Sequence, residues 1–222
     1  MTKKDIQDRE AERRTAKRAA KKAGDTAFEL FRAEFETETK DGKTDYVTTA
    51  DYEAQEAAVG VLRDAFPDDG IVAEEGDTSK TVPSEGRHWI IDPIDGTTNF
   101  AHGMPVWASS VALVVDGEPV ASANYMPVMG DIYVAGDETR LNGERVGVSA
   151  VTDHDVFKIV PTVWWGYHRR DEFAEVSRRI VTEFGDLLRI GSAQTALSML
   201  ASGAVDGVVT NVDVNPGDSV AG

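Results

Sequence analysis

The chain has 222 residues with 23 Lys+Arg against 39 Asp+Glu, a formal net charge of −16. Its hydrophobic content of 41% excludes a disordered acidic chain and is enough to fill a core. With no cysteine there are no disulfides, no thiol nucleophile and no Cys-type zinc site, and the four histidines form no HExxH pair. No apolar run approaches the roughly 20 residues that span a bilayer, and the N-terminus lacks the apolar stretch of a secretory signal. The reading is a soluble, cytoplasmic protein with no membrane partner. Residues 1–22 hold nine Lys/Arg and four Asp/Glu, so the rest of the chain is more acidic still. Such a body repels nucleic acid, and none is expected as a partner. Nine lysines against 39 acids also resemble the halophilic surfaces of salt-accumulating organisms.

Taken in chain order, residues 8–35 predict a helix, with Ala16, Ala20, Ala23, Ala27, Leu30 and Phe31 at three- and four-residue spacing and Gly24 as an interruption. A second helix is expected over about 51–66, ending at Pro67-Asp68-Asp69-Gly70. Ile71-Val72-Ala73 and His88–Asp92 read as short strands that end in acids. From Trp107 to Ala135 the pattern is an antiparallel meander with turns at Asp116-Gly117 and Met129–Asp131, and Asn142-Gly143 adds a tight hairpin. Then come a strand near 156–163, a helix near 171–184, a strand near 187–190, a helix near 192–202 and a strand near 205–210. The fold class is layered α/β. With no linker in view, residues 1–222 are expected to form a single domain: a basic helical N-terminus (1–22), a half carrying the acidic motifs (23–150) and a second α/β half (151–222).

Glu74 and Asp92 each close an apolar run, where a carboxylate faces the crevice of an α/β sheet rather than its interior. Asp92-Pro93-Ile94-Asp95 suggests a turn that converges two carboxylates and the Ile94 carbonyl on one point. Hard oxygen donors of this kind suit Mg²⁺, which keeps several waters and shares its substrate's phosphate. Gly96-Thr97-Thr98 follows, with backbone open to a phosphate. The same letters also suit a plain surface turn, but Glu74-Glu75 and the preceding Trp-Ile-Ile argue against it. Asp-x-x-Asp is not the Asp-x-Asp of haloacid-dehalogenase phosphatases, and Gly42-Lys43-Thr44 lacks the remaining glycine of a P-loop. His102 reads as a turn residue or part of a site mouth, and Trp164-Trp165 as a packed strand pair.

Trp89–Phe100, together with Asp45–Asp51, Ile71–Gly76, Leu141–Gly143, Arg189–Ala193 and Ala201–Asp206, resembles the motif series of the inositol monophosphatase family. The resemblance runs from about residue 10 to the end of the chain. It implies an α/β/α/β/α sandwich of the sugar phosphatase type and hydrolysis of a small phosphorylated substrate with two or three Mg²⁺ ions. It implies metal ligands at Glu74, Asp92, the Ile94 carbonyl, Asp95 and Asp218, and catalytic roles for Asp51, Thr97 and Glu74. Asp51 and Thr97 would orient the metal-bound water, and the Gly96 and Thr97 amides would hold the phosphate. Gly191, Ser192 and Ala193 would line the substrate's alcohol side, with Glu74, Ile94, Asp95 and Asp218 also against the substrate and Lys40 nearby.

The resemblance further implies a homodimer and leaves open a substrate like inositol 1-phosphate, fructose 1,6-bisphosphate or a nucleotide 3′-phosphate, or a non-catalytic member that binds metal or a partner. Two departures bear on this: Gly217 stands where the family has Trp before its last metal-binding Asp. Thr210 and Asn211, with Asp213 close by, stand near the position of a substrate-contacting Glu. The family pattern also continues past residue 222, so the chain reads as C-terminally truncated, without the last strand and helices. The charge itself yields a test. Self-repulsion among 39 acids destabilises the compact state in dilute buffer, and salt screens it within a Debye length of about 10 Å at 0.1 M. The melting temperature is expected to climb steeply with KCl, and a flat profile up to molar salt would contradict the salt-adapted reading.

Overall fold

The computed structural model describes residues 3–33, 37–39, 46–75, 81–162 and 167–210. Helix α1 (Lys3–Leu30) buries Ala16, Ala19, Ala20, Ala23 and Ala27 completely. Side chains this small let it lie close against α2 (Thr49–Ala65), whose Ala50, Ala54, Ala58 and Leu62 belong to the same core cluster. The helix begins and ends earlier than its periodicity suggests. Arg32 takes a left-handed φ of 64° and leads the chain out of the helix. Its guanidinium lies over the Phe31 ring and donates to the Gly103 carbonyl at 3.0 Å.

Both helices cover one face of a seven-stranded sheet. Its strands, in spatial and chain order, are β3 (Gly70–Ala73), β4 (Arg87–Asp95), β5 (Ala108–Val115), β6 (Glu118–Met126), β7 (Asp131–Ala135), β8 (Arg140–Leu141) and β9 (Glu144–Arg145). β3 runs parallel to β4, and every later pairing is antiparallel. The expected meander and hairpin are present. Asp116-Gly117 and Asn142-Gly143 each place two successive residues at positive φ, the backbone that matches strand twist in tight hairpins. A separate antiparallel pair, β1 (Thr37–Thr39) with β2 (Tyr46–Thr48), precedes α2.

The remaining layers come from the second half. β10 (Lys158–Pro161) pairs in parallel with β11 (Asp186–Leu187) on one side and β12 (Gly207–Val209) on the other. Between the two sheets lies α5 (Ala193–Ala201). Its Ala196 packs with Val160 and Val205 of the small sheet's cluster, joined by Met199, Leu200 and Val208. α4 (Arg170–Glu183) lies against β11, which completes the α/β/α/β/α order expected from the sequence. The short helix α3 (Thr97–Ala101) follows β4 directly.

Gly24 is a point of close contact rather than a mere weakness in α1. A Cβ there would lie 2.5 Å from Tyr125 Cδ1 and 2.9 Å from Pro127 Cγ. In an open helix Gly24→Ala would gain up to about 1 kcal/mol. Here the Tyr125 ring must move, and overpacking of about 1–3 kcal/mol outweighs that gain. Thermal denaturation of Gly24→Ala should show a lower melting temperature than wild type; a higher one would mean that α1 stands farther from β6.

Candidate active site

The acids are arranged by an irregularity in β4. Regular strand residues alternate faces, so positions three apart point to opposite sides of a sheet. Asp92 pairs with Ser110 and Asp95 with Ala108, so β4 carries one residue more than β5 across this interval. That one-residue bulge resets the alternation. Ile91 and Ile94 both enter the core beneath α1 and α2, while Asp92 and Asp95 both turn to the face that carries α5. Pro93 has no N–H to contribute to the ladder, and its carbonyl accepts from Ser109 Oγ at 2.5 Å. The expected turn is therefore a bulge inside a nine-residue strand.

Asp92 and Asp95 are only 2% and 5% exposed. Asp95 meets the start of α5: its carboxylate accepts from the Ala193 amide at 3.0 Å, the Gln194 amide at 2.9 Å and the Ser192 hydroxyl. These groups are otherwise orphan donors of a helix N-terminus, where a negative charge is favoured. Burial nevertheless pushes the Asp95 carboxyl up to about 6, with the Ser192 and α5 donors pulling the other way.

Glu74 extends β3 by one residue, its amide donating to the Ile91 carbonyl at 3.2 Å, so it follows onto the face of Asp92. Glu75 belongs to α2 instead, because its amide and carbonyl are clamped by Gln55 at 2.8 and 3.1 Å. Asp51, in the first turn of α2 and 1% exposed, comes to the same region from the other side. Thr97 Oγ1 stands 3.3 Å from Asp51 Oδ1 and 2.9 Å from the Ile94 carbonyl. Gly96 has a φ of 92°, and a Cβ there would lie 3.1 Å from both the Gly191 carbonyl and Ser192 Cβ. A glycine at this position lets the loop after β4 touch the loop before α5.

Thus Asp51, Ile94, Gly96 and Thr97 adjoin one another, and Asp95 contacts Ser192 and Ala193. Glu74 and Asp92 share the Asp95 face. Among the described residues no group of three or more acidic or histidine side chains is gathered closely enough to hold a metal ion, and both oxygens of Asp95 address α5. Lys40, Asp45, Trp164, Trp165, Asn211, Asp213, Gly217 and Asp218 lie outside the described residues. His102 Nδ1 is 2.8 Å from the Thr98 carbonyl, so it donates to the last turn of α3.

Several residues were missed by the motif reading. Asn99 Nδ2 donates to the carbonyls of Val106, at 2.7 Å, and Ile190, at 2.9 Å, tying the loop after β4 to the turn before α5. Behind the acids, Asp92, Ser110, Asn124 and Tyr133 form a row across β4 to β7. α5 answers with a polar stripe: Asn124 Nδ2 donates to Ser198 Oγ at 2.9 Å, and Tyr133 Oη lies 3.2 Å from Ser202 Oγ. The spacing of Gln194, Ser198 and Ser202 was the available signal, since it is a helical stripe of neutral polar residues.

The fold and this site define a layered α/β protein whose acidic crevice lies where strand ends, α3 and the start of α5 meet. The sequence profile of the inositol monophosphatase family matches residues 8–222. The chain is 34% identical over 209 residues to the Vibrio cholerae Nus factor SuhB, covering 92% of this chain and 78% of that one. It is also 34% identical over 171 residues to an inositol-1-monophosphatase of Mesorhizobium japonicum, covering 75% of this chain and 63% of that one. The crystal structure of the extragenic suppressor protein suhB from Bartonella henselae superimposes with a TM-score of 0.85 at 28% identity, over 94% of this chain and 81% of that one. The chain belongs to the inositol monophosphatase family.

The elevated Asp95 carboxyl gives a signed prediction. Between the ordinary value of 3.8 and about 6 the folded chain holds a proton that the unfolded chain has released. Raising the pH through that window therefore costs stability in the metal-free protein. Asp95→Asn carries no such proton. Measured in a chelator, the melting temperature of wild type should fall relative to that of Asp95→Asn between pH 4.5 and 7. A constant difference would show that burial does not govern this carboxyl.

Proposed function

We propose that the chain is a Mg²⁺-dependent phosphomonoesterase acting on a small sugar or polyol phosphate. The observation that carries this reading is the contact of Thr97 with both Asp51 and the Ile94 carbonyl, beside two buried carboxylates on one sheet face. The donor set fits the ion: Asp92, Asp95, Glu74 and the Ile94 carbonyl are all hard oxygens, and Mg²⁺ is typically held by one or two carboxylates plus waters. When bound, Mg²⁺ would neutralise phosphate charge and make a water nucleophilic at neutral pH.

The chain's own residues supply the rest. The Thr97 hydroxyl reaches both Asp51 and the Ile94 carbonyl; it donates its one proton to Asp51 and accepts a hydrogen bond from the attacking water on a lone pair. Asp51 takes up the proton that the water releases through Thr97. The Gly96 and Thr97 amides, at the start of α3, face the phosphate oxygens. Gly191, Ser192 and Ala193 line the side of the leaving alcohol, so that residues 23–150 and the later half act as one catalytic domain.

A second reading rests on the match to a relative named Nus factor SuhB, which spans 92% of this chain. In that reading the same fold serves a partner-binding role, with turnover incidental or absent.

Turnover separates the two. The purified chain should release phosphate with Mg²⁺ from at least one of inositol 1-phosphate, fructose 1,6-bisphosphate and a nucleotide 3′-phosphate, and a chelator should abolish release. Thr97→Val, which removes the hydroxyl at nearly constant volume, should lower kcat by about 10²-fold or more with little change in KM. A folded chain that hydrolyses none of the three at saturating Mg²⁺ would favour the partner-binding role.

A further inference from the structure

At the edge of the seven-stranded sheet opposite β3, a groove of about 550 Å³ opens between α1 and the hairpin strands β7 to β9. It is lined by Arg13, Arg14 and Lys17 from α1 and by Arg140 and Arg145 from the hairpin. Three acids also line it, and two of them are already matched. Asp137 accepts from Arg9 at 3.0 Å and Arg13 at 3.2 Å, while Glu138 is paired with Arg140 and, at 3.5 Å, Arg145. Arg14 and Lys17 make no ion pair or hydrogen bond among the described residues.

This surplus of positive charge is expensive where it stands. Of the groove cations on α1, Arg13 and Lys17 are four residues apart, as are Arg14 and Arg18 just outside the groove, and like charges at that spacing destabilise a helix. Glu10, four residues before Arg14, offsets only part of this. A chain with 39 acids places none of them three or four positions from Lys17 or Arg18. A bound anion would relieve this repulsion.

We infer that the groove is a binding site for a small anion carrying two or more phosphoryl groups. Arg14 offers an unpaired planar guanidinium, which matches phosphate oxygens two at a time, and Lys17 adds a second unpaired charge. Arg13, Arg140 and Arg145 share only the carboxylates of Asp137 and Glu138. Its volume falls in the range of small-ligand sites, about 300–1,000 Å³. A long polyanion is disfavoured, because the rest of this acidic chain repels it. The site is independent of the phosphatase reading, since none of its residues belongs to that crevice.

Titration calorimetry in metal-free buffer with about 0.1 M KCl tests this, using tripolyphosphate as the probe. The wild-type chain should bind it saturably at one site. The double variant Arg14→Gln/Lys17→Gln removes only exposed side chains and should weaken binding on the order of tenfold. Lys158→Gln, a charge change on β10, should leave the affinity unchanged. Absence of saturable binding, or equal affinity in the double variant, would overturn the inference. So would tighter binding of a polyglutamate peptide or a short single-stranded DNA than of tripolyphosphate, because the surface would then be one for a macromolecule.

Discussion

The arrangement of the crevice depends on one extra residue in β4. A strand alternates its side chains, and Asp92 and Asp95 would face opposite sides of a regular sheet. The bulge lets Ile91 and Ile94 both fill the core under α1 and α2 while both acids turn the other way. Pro93 cannot extend the ladder and Ser109 satisfies its carbonyl, so the irregularity leaves no lost backbone partner at that carbonyl. Apolar packing on one face thus fixes the placement of charge on the other.

The middle layer then follows. A face that carries two buried carboxylates cannot be covered by an ordinary apolar helix. α5 meets it with a helix start, whose amides and Ser192 hydroxyl receive Asp95, and with a polar stripe that meets Asn124 and Tyr133. Its other side is apolar and packs on the small parallel sheet. One helix therefore joins the two sheets and brings Gly191 and Ser192 against Gly96. Asn99 fastens the same loops through two carbonyls, so the crevice is held from both halves of the chain.

The elements themselves were largely legible, because period-3.6 and period-2 patterns reflect burial, and burial here follows simple layers. The hairpins were legible for the same local reason: Asp116-Gly117 and Asn142-Gly143 can adopt the backbone that such turns need. What escaped were features set by contact at a distance. Arg32 ends α1 in a left-handed conformation, with its guanidinium on Phe31 and Gly103, and nothing in its neighbours announces that. Gly24 reads locally as a weak point, and only the nearby Tyr125 ring shows its use. Asp92-Pro-Ile-Asp was visible as a chemical motif, but its spacing suits a turn as well as a bulge; the pairing with β5 decides. Asn124 and Ser198 are unremarkable letters until a strand and a helix from different halves are stacked.

The central claim is that Asp92 and Asp95 together address one cation while α5 remains docked on Asp95. The most direct measurement is a Mg²⁺ titration followed by amide NMR at Ala193 and Gln194, whose N–H groups donate to the Asp95 carboxylate. The account predicts that both resonances move saturably with Mg²⁺, stay unmoved by an equal ionic strength of KCl, and lose the response in Asp92→Asn. If Mg²⁺ leaves these two amides where they are in the wild-type chain, the two carboxylates do not share an ion.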